Sequence, residues 1–348
     1  MAAANKQTEE LRQIFSLFFD GTPASFQIID TSRGENDFRE TAIAETETGE
    51  KYVIKLADND FTFPDKIKMW QRTVEAYQQL GYYCPTIFCD KTGEFPTVPY
   101  KGRRCAVYAE AFAPYRSIED RAAADTSQDD SVSDRYRRYR QDIWKMTARI
   151  AEKHLAYTQY PSAYCLFTTF CPSDKTDEVL ENAENWKAYA ETLPPEFQDQ
   201  VRRIWRLWEE NRKALAQVYD QLPTSVFQAD LNATNILIDE NGKFVGIYDF
   251  NLSGKEVFLN YLMRENFGEF EEEIEEIRDA LRIASQYYRF SEAEKEYAPM
   301  LYRCLKPLWY NKLLYLKERE QEPSAVKACL DKTEFCLTAP LSFREDME

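Results

Sequence analysis

The 348-residue sequence is longer than most single compact domains, so we expect two domains or lobes. Hydrophobic residues make up 44% and aromatic residues 14%, which argues against disorder over most of the chain. The formal net charge of −16 disfavours binding to nucleic acid or to an anionic membrane surface, and a cationic small molecule is a more natural ligand.

Cysteine and histidine usage narrows the chemistry further. The eight cysteines are scattered, with no CxxC pair and no regular spacing, which predicts reduced thiols. The only histidine, His154, argues against zinc sites built from several histidines. The first ten residues lack a basic segment followed by an apolar run, and no stretch approaches ~18 apolar residues. We therefore expect a cytoplasmic protein without a membrane span.

The first third of the chain carries strand patterns around two helices. Residues 6–19 place apolar side chains at helical spacing, which predicts a leading amphipathic helix. Alternating segments separated by turn-forming residues predict strands, and an uninterrupted run before Gly81 predicts a second helix. The predicted strands cover residues 25–30, 38–46, 51–57, 85–90 and 103–112, and the second helix covers 65–80. This part indicates a five-stranded sheet with one inserted helix.

Helical periodicity dominates after about residue 116. The segment 121–135 is polar and glycine-free, and we expect it to be a mobile loop. Predicted helices cover residues 136–158, 180–192, 196–220, 265–286, 291–317 and 322–332. One β-rich segment, 226–250, interrupts this helical part and is the most informative stretch of the sequence.

Two β-rich runs, NILID and KFVGIYDF, are joined through Asn241-Gly242. This dipeptide favours a tight hairpin turn because both residues tolerate positive φ. A two-residue turn there pairs position 235 with position 248, so Asn235 and Asp249 come together at the open end of the hairpin. Asp230 lies in the loop that leads into it. The sequence therefore predicts that two carboxylates and one carboxamide converge.

Oxygen ligands of this kind suit Mg²⁺, which uses few protein ligands together with waters and substrate phosphates. The pattern alone leaves open whether Asn235 and Asp249 share a face, since a shift of one residue in register exchanges the two sides of a strand. A bare Asp-x-x-x-x-Asn also occurs in loops of unrelated proteins.

The spacing Asp230-x-x-x-x-Asn235, followed by the hairpin and by Ile247-Tyr248-Asp249-Phe250, resembles the aminoglycoside phosphotransferase and choline kinase family. The resemblance implies that Asp230 orients or deprotonates the attacking hydroxyl and that Asn235 and Asp249 hold the metal ions. The family usually has histidine two residues before the catalytic aspartate. This chain has Gln228 there, and its amide can still form hydrogen bonds that support the loop.

The resemblance extends upstream to the nucleotide site. Lys55 stands where the family has its phosphate-contacting strand lysine, and Glu75 stands where a helix glutamate pairs with that lysine. The segment SRGENDF resembles the turn that covers the nucleotide, and the segment 109–113 resembles the hinge that meets the adenine. The implied nucleotide contacts from these two segments are Ser32, Gly34, Asn36, Glu110 and Phe112.

The implied fold is an α+β, protein-kinase-like bilobe. Its N-terminal nucleotide-binding lobe would cover residues 1–112, and a helical C-terminal lobe with the catalytic loop and the hairpin would cover 113–348, with ATP between them. The implied activity is ATP- and Mg²⁺-dependent transfer of a phosphoryl group to a hydroxyl of a small molecule, such as a cationic amine, amino alcohol or aminosugar. Nothing in the sequence indicates a nucleic-acid, membrane or protein partner.

Two other hypotheses remain open at this point. A catalytically degenerate kinase-fold protein would bind a nucleotide or small ligand without turnover, which the glutamine at position 228 and the single glycine of the nucleotide turn would suit. An acidic scaffold for a protein partner would not depend on Asp249.

Overall fold

The computed structural model describes residues 2–34, 36–120, 137–264 and 271–348. Its strands are β1 Pro23–Asp30, β2 Phe38–Thr46, β3 Lys51–Asp58, β4 Ile87–Phe88, β5 Thr97–Tyr100, β6 Arg103–Ala111, β7 Arg116–Ser117, β8 Thr224–Phe227, β9 Ile236–Ile238, β10 Phe244–Ile247 and β11 Gly254–Val257. Its α-helices are α1 Ala2–Phe18, α2 Pro64–Gln79, α3 Arg140–Ala151, α4 Glu178–Ala190, α5 Gln198–Ala216, α6 Phe258–Arg264, α7 Glu271–Ser285, α8 Glu292–Leu305, α9 Tyr310–Glu318 and α10 Pro323–Thr338. The predicted α+β composition, with strands early and helices late, is confirmed. None of the described helices is long and apolar enough to cross a membrane.

The N-terminal strands form an antiparallel sheet in the order β1-β2-β3-β6, and both β4 and β5 pair with the outer edge of β6. Alternation along these strands gives the sheet two apolar faces. One face packs against α1, where Leu11, Phe15, Ile54 and Val107 are all essentially inaccessible to solvent. Each such buried side chain contributes about 1.5–3 kcal/mol to folding. The leading helix is therefore an integral part of this core.

The opposite face of the sheet is covered by α2. Trp70 on this helix is fully buried, and its ring centroid lies 5.8 Å from that of Tyr108 on β6. Lys55 points to this same face, because it lies directly opposite Tyr108 in the β3–β6 register. The sheet thus places one strand lysine beneath a helix and beside a tyrosine.

Strand β5 was not predicted. The sequence analysis placed no strand between the predicted strands 85–90 and 103–112, and Pro96 and Pro99 are unfavourable there because proline has no N–H for the ladder. Among the described strands β5 pairs with β6 alone, and Pro99 lies opposite Arg104. An edge strand tolerates proline because one of its sides needs no partner.

The helical part follows the prediction with three main differences: α6 (Phe258–Arg264) was not predicted, α3 ends at Ala151 although the predicted helix ran to residue 158, and one predicted helix is divided in two. The predicted single helix 291–317 is divided into α8 and α9, with the break around Pro307. Proline removes a backbone donor and disfavours helical geometry in the residue before it, which explains the interruption. The predicted loop 121–135 and the start of the predicted helix 265–286 lie outside the described residues.

Contacts between residues divide the chain into two units. The first comprises residues 1–138, 171–173 and 230–254, and the second comprises residues 139–170, 174–229 and 255–348. The hairpin β9–β10 is grouped with the N-terminal sheet, because Tyr83 pairs with β10 and β7 pairs with β9. The sequence-based division assigned this hairpin to the C-terminal lobe. The lobe boundary at residue 112 remains a prediction.

The contact between Tyr83 and β10 depends on Gly246. A Cβ atom added there would lie 1.8 Å from the carbonyl oxygen of Tyr83, which accepts a hydrogen bond from the backbone N–H of Ile247 at 3.0 Å. We expect Gly246→Ala to lower the free energy of unfolding by about 3 kcal/mol, because the backbone must move to make room. Chemical denaturation monitored by circular dichroism measures this change.

Gly93→Asn is the control for this prediction. Gly93 lies in an exposed turn with a φ of +88° and no atom within 4 Å of an added Cβ, and asparagine tolerates that conformation. Equal destabilisation by the two substitutions would contradict the packing explanation.

Candidate active site

The loop that follows β8 is shaped by hydrogen bonds from its own short polar side chains. Asn232 Oδ1 accepts from the N–H of Thr234 at 2.9 Å, and Asn232 Nδ2 donates to Asp230 Oδ1 at 2.7 Å. Asn235 Nδ2 donates to the backbone carbonyl of Asp230 at 2.8 Å. The sequence DLNATN thus closes on itself and holds the first aspartate and the last asparagine together.

Asp230 and Asp249 both have backbone conformations that are unusual for residues other than glycine. Their φ angles are +83° and +60°. Such left-handed geometry costs on the order of 1–3 kcal/mol, so the surrounding contacts must hold it in place. Residues held in this way are concentrated at functional sites.

The turn of the hairpin differs from the predicted one. The N–H of Asp239 donates to the carbonyl of Lys243 at 2.9 Å, which encloses residues 240–242 rather than a two-residue turn. Gly242 has a φ of +79°, and its N–H donates to the carbonyl of Asp239 at 3.0 Å. This is the pattern of a three-residue loop with glycine in the left-handed position.

A bulge next to the turn restores the predicted register at the open end. The register shifts between Phe244 and Gly246, so that Ile247 pairs with Ile236. The N–H of Tyr248 then donates to the carbonyl of Asn235 at 3.1 Å. The predicted pairing of positions 235 and 248 is confirmed, although the reasoning through a two-residue turn was wrong. Asp249 therefore follows directly after the residue paired with Asn235.

Lys55 approaches this end of the hairpin from β3. Its Nζ lies 2.9 Å from Asp249 Oδ1 and 3.4 Å from Glu110 Oε2. Burial by itself lowers the pKa of Lys55, but the negative charges of Asp249 and Glu110 outweigh that effect and hold its pKa well above the ordinary value. Lys55 is a fixed positive charge on the floor of the site.

The predicted ion pair between Lys55 and Glu75 is wrong. Glu75 is exposed on α2, on the side away from its buried neighbours Val74 and Tyr77. Glu110 takes its place, because in the β3–β6 register Lys55 and Glu110 point to the same face of the sheet. The glutamate partner thus comes from a strand and not from the helix.

Glu110 was predicted as a hinge residue that meets a nucleotide through its backbone. It lies inside β6, between Val53 of β3 and Ile87 of β4, so the sheet uses its backbone groups and its side chain serves the site instead. Phe112 lies just beyond the end of β6, is 40% exposed, and has Lys51 Nζ 5.5 Å from its ring centroid. Its contact with adenine remains a prediction.

The turn between β1 and β2 is held by Ser32 and Gly34. Ser32 Oγ accepts from the N–H of Arg39 at 3.0 Å, and Gly34 has a φ of +103°. Asn36 is exposed. From this turn the neighbouring cavity is lined by Thr31 and Arg33 and not by the three predicted residues, although all three are described. Backbone contacts from those three remain a prediction.

Gln228 is completely buried at the end of β8, and its backbone carbonyl accepts a hydrogen bond from the hydroxyl of Tyr261. Burial of this kind suits a supporting position beneath the loop better than contact with a substrate. The predicted support of the loop by the Gln228 side chain remains a prediction.

A cavity of about 230 Å³ collects the central residues of this site within the first unit. Lys55, Asp230, Asn235 and Asp249, all predicted from the sequence, line it together. Further lining residues that the sequence analysis did not name are Thr31, Arg33, Arg39, Glu40, Thr41, Leu56, Ala57, Thr62, Tyr108, Asn232, Thr234 and Asn251. Asn232 and Thr234 could have been identified from the sequence, because short polar residues next to a candidate aspartate often shape its loop.

The electrostatics of Asp230 reflect its partly enclosed position. Burial raises the pKa of this carboxyl, the nearby charge of Asp249 raises it further, and the amide of Asn232 and the charge of Arg33 oppose the rise. A carboxyl with a raised pKa is a better proton acceptor than an ordinary aspartate.

The donor set fits a magnesium ion that also binds phosphate oxygens. Asn235 and Asp249 offer hard oxygen ligands, and both residues line the same cavity at the open end of the hairpin. Among the described residues no group of three or more His, Cys, Asp or Glu side chains is placed to hold a metal. A magnesium site here would therefore draw its remaining ligands from waters and from a bound phosphate chain.

The sequence of this chain matches a known protein family. A family model described as the phosphotransferase enzyme family matches residues 33–257. A comparison with curated proteins gives no significant match.

Among solved structures, an amicoumacin kinase in complex with AMP-PNP, Ca²⁺ and Ami is 14% identical over 99% of this chain and 98% of that chain, with a TM-score of 0.53. A macrolide 2'-phosphotransferase type I is 12% identical over 96% and 97% of the two chains, with a TM-score of 0.46. An ethanolamine kinase from Plasmodium vivax is 14% identical over 92% of this chain and 84% of that chain, with a TM-score of 0.39.

The likeness to the amicoumacin kinase shows a shared kinase-like fold, as the sequence predicted. The matched segment 33–257 contains Lys55, the loop 230–235 and the whole hairpin, and it covers well over half of the 348 residues. The protein belongs to the phosphotransferase enzyme family.

Proposed function

We propose that this protein transfers the γ-phosphoryl group of ATP to a hydroxyl group of a small molecule. The observation that carries the proposal is that Lys55, Asp230, Asn235 and Asp249 line one cavity of about 230 Å³. A lysine, a proton acceptor and two oxygen ligands for a metal are the parts that phosphoryl transfer requires. Most of the rate enhancement would come from positioning and from stabilisation of charge.

Asp230 is the proposed proton acceptor. The acceptor oxygen forms a bond to the γ-phosphorus, the bond to the β,γ-bridging oxygen breaks, and the hydroxyl proton passes to the carboxylate of Asp230. Asn232 and Asn235 keep this carboxylate in place through hydrogen bonds of 2.7 Å to Oδ1 and 3.3 Å to Oδ2. Its raised pKa suits the acceptance of a proton.

Lys55, Asn235 and Asp249 hold the nucleotide in this proposal. Lys55 neutralises charge on the α- and β-phosphates, and Glu110 keeps its side chain extended at 3.4 Å. Asn235 Oδ1 and the Asp249 carboxylate would hold Mg²⁺, which supplies neutralisation of the β- and γ-phosphate oxygens when bound.

A cationic acceptor is the proposed substrate class. The net charge of −16 favours attraction of an amine, amino alcohol or aminosugar over an anionic acceptor. The neighbouring structures include enzymes named for macrolide and ethanolamine phosphorylation, so the fold accommodates acceptors of very different size.

A transfer assay tests the proposal. The purified protein is incubated with ATP, Mg²⁺ and a panel of amines, amino alcohols, aminosugars and macrolides, and the products are read by mass spectrometry together with ADP formation. We expect one class of acceptor to gain a single phosphoryl group, and chelation of the metal to stop the reaction. Tight binding of Mg-ATP without transfer to any acceptor would instead favour a kinase-fold protein that binds nucleotide without turnover.

Glu110→Gln tests the observed partner of Lys55 against the one expected from the sequence. Removing the Glu110 charge leaves Lys55 held only by Asp249, which the proposal assigns to the metal. We expect kcat/KM for ATP to fall roughly 10-fold or more, since a buried charged hydrogen bond is worth about 1.5–3 kcal/mol.

Glu75→Gln is the matched substitution on α2 and should leave kcat/KM nearly unchanged, because Glu75 is exposed. A larger loss in Glu75→Gln than in Glu110→Gln would restore the original assignment of the helix glutamate.

A further inference from the structure

Arg33 lies in the connection between β1 and β2 and lines the same cavity as Lys55, Asp230 and Asp249. Its own N–H donates to the carbonyl of Asp37 at 3.0 Å, so the turn that carries it is closed by the backbone. The residue is exposed, which leaves its long side chain able to move within the mouth of the cavity.

Within the part of the chain that the structure describes, the guanidinium of Arg33 is not committed to a structural contact. It forms no side-chain hydrogen bond or ion pair of 4 Å or less with any residue in the described ranges. Arg39, the other arginine of the cavity, is different, because its Nη2 lies 2.9 Å from Asp37 Oδ2. Within the described residues, the guanidinium of Arg33 is therefore available to an anionic ligand in the cavity.

Arg33 and Lys55 place positive charge at two different parts of the cavity. Lys55 is fixed on the floor of the sheet by Asp249 and Glu110. Arg33 comes from the turn and is close enough to Asp230 for its charge to oppose the burial-driven rise in the pKa of that carboxyl. Arg33 and Asp230 also line the same cavity, so Arg33 adds positive charge near the carboxylate on which the proposed transfer centres.

The turn also lacks the means that glycine-rich loops use to hold phosphate. Such loops present several backbone N–H groups through successive glycines, whereas this turn has Gly34 alone between two strands. A guanidinium offers a planar fork of donors that matches phosphate oxygens and can replace those amides.

We propose that Arg33 is a further catalytic residue, whose guanidinium contacts the terminal phosphoryl group of the bound nucleotide on the side of Asp230. This inference rests on the proposed kinase function, and it assigns the γ-phosphoryl contact to a side chain of the covering turn. The charge of Arg33 would then balance the negative charge that is redistributed over the γ-phosphate oxygens during transfer.

Binding measurements test the assignment without knowledge of the acceptor. Calorimetry with Mg²⁺ compares AMP-PNP, which has a third phosphoryl group, with ADP, which lacks it. We expect Arg33→Ala to weaken AMP-PNP binding roughly 10- to 100-fold, the range for a lost hydrogen bond to a charged group, and to leave ADP binding nearly unchanged. Arg33→Lys should recover part of the loss, because it keeps the charge without the planar fork.

Arg104→Ala is the matched control, since Arg104 is exposed on β6 and lies outside the cavity lining. It changes the net charge equally and should affect neither nucleotide. Equal weakening of AMP-PNP and ADP by Arg33→Ala, or no weakening of either, overturns the assignment while leaving the kinase proposal intact. Failure of the unaltered protein to bind either nucleotide overturns both.

Discussion

Phosphorylation of the acceptor is expected to fall about 10³-fold when Asp230 is replaced by asparagine, because a positioned general base contributes roughly 10²–10⁴ to the rate. Asparagine is nearly the same size, tolerates the φ of +83° found here, and can still accept the hydrogen bond from Asn232. The loop should therefore keep its shape. Steady-state kinetics with the acceptor identified by the transfer assay would show the loss in kcat and little change in KM for ATP.

The matched substitution for this experiment is Asp65→Asn, which removes an exposed carboxylate at the start of α2. It should retain full activity. A calorimetric titration with Mg-ATP separates the two possible faults of Asp230→Asn, since loss of the proton acceptor leaves nucleotide affinity intact whereas collapse of the loop does not. Asp230→Asn with ordinary kcat would remove Asp230 from the proposed chemistry.

The parts of the site that the sequence predicted are those encoded locally. Asp230 and Asn235 are five residues apart in one loop, and the Asn-Gly turn brings Asp249 beside them through local pairing. The predicted register was correct because two deviations from the expected hairpin cancel each other. The loop is one residue longer than expected, and the bulged strand has one extra residue, so the register at the open end is unchanged.

The partner of Lys55 was missed because it depends on how separate segments pack. Glu75 follows Lys55 in the sequence as the family pattern requires, but it lies on the solvent-facing side of α2. Glu110 lies in the apolar run RRCAVYAEA, where a single carboxylate among buried residues indicates a paired charge. The register of β3 against β6 then determines which charge it meets, and that register spans more than fifty residues of sequence.

The edge strand β5 and the divided helix were missed for opposite reasons, although proline is involved in both. Pro99 is unfavourable in a strand by the local rule, but an edge position leaves its missing N–H without consequence. Pro307 lies in a strongly helical pattern that was extended through it, and there the structure follows the local rule. The effect of a proline thus depends on whether a neighbour needs its N–H, which only the tertiary structure determines.

Asp249→Asn is expected to lower the rate of phosphoryl transfer about 10³-fold or more. The cause would be loss of a metal ligand, whereas Asp230→Asn removes the proton acceptor. A neutral amide is a weaker ligand for a hard divalent cation than a carboxylate, so the proposed Mg²⁺ site retains two amides and no charge. Lys55 also loses the negative charge at 2.9 Å and keeps only that of Glu110, although the amide oxygen can still accept its hydrogen bond. Nucleotide binding should therefore lose its dependence on Mg²⁺, which titrations with ADP in the presence and absence of the metal measure directly.

Asp239→Asn is the control on the same hairpin, at its opposite end. The Oδ1 atom of Asp239 accepts from the N–H groups of Asn241 and Lys243 at 2.9 and 2.8 Å, and asparagine can accept both bonds. The turn should therefore persist with metal-dependent binding unchanged. Retention of Mg²⁺-dependent binding in Asp249→Asn would mean that this carboxylate serves Lys55 alone, and the divalent cation would then have to be placed elsewhere in the cavity.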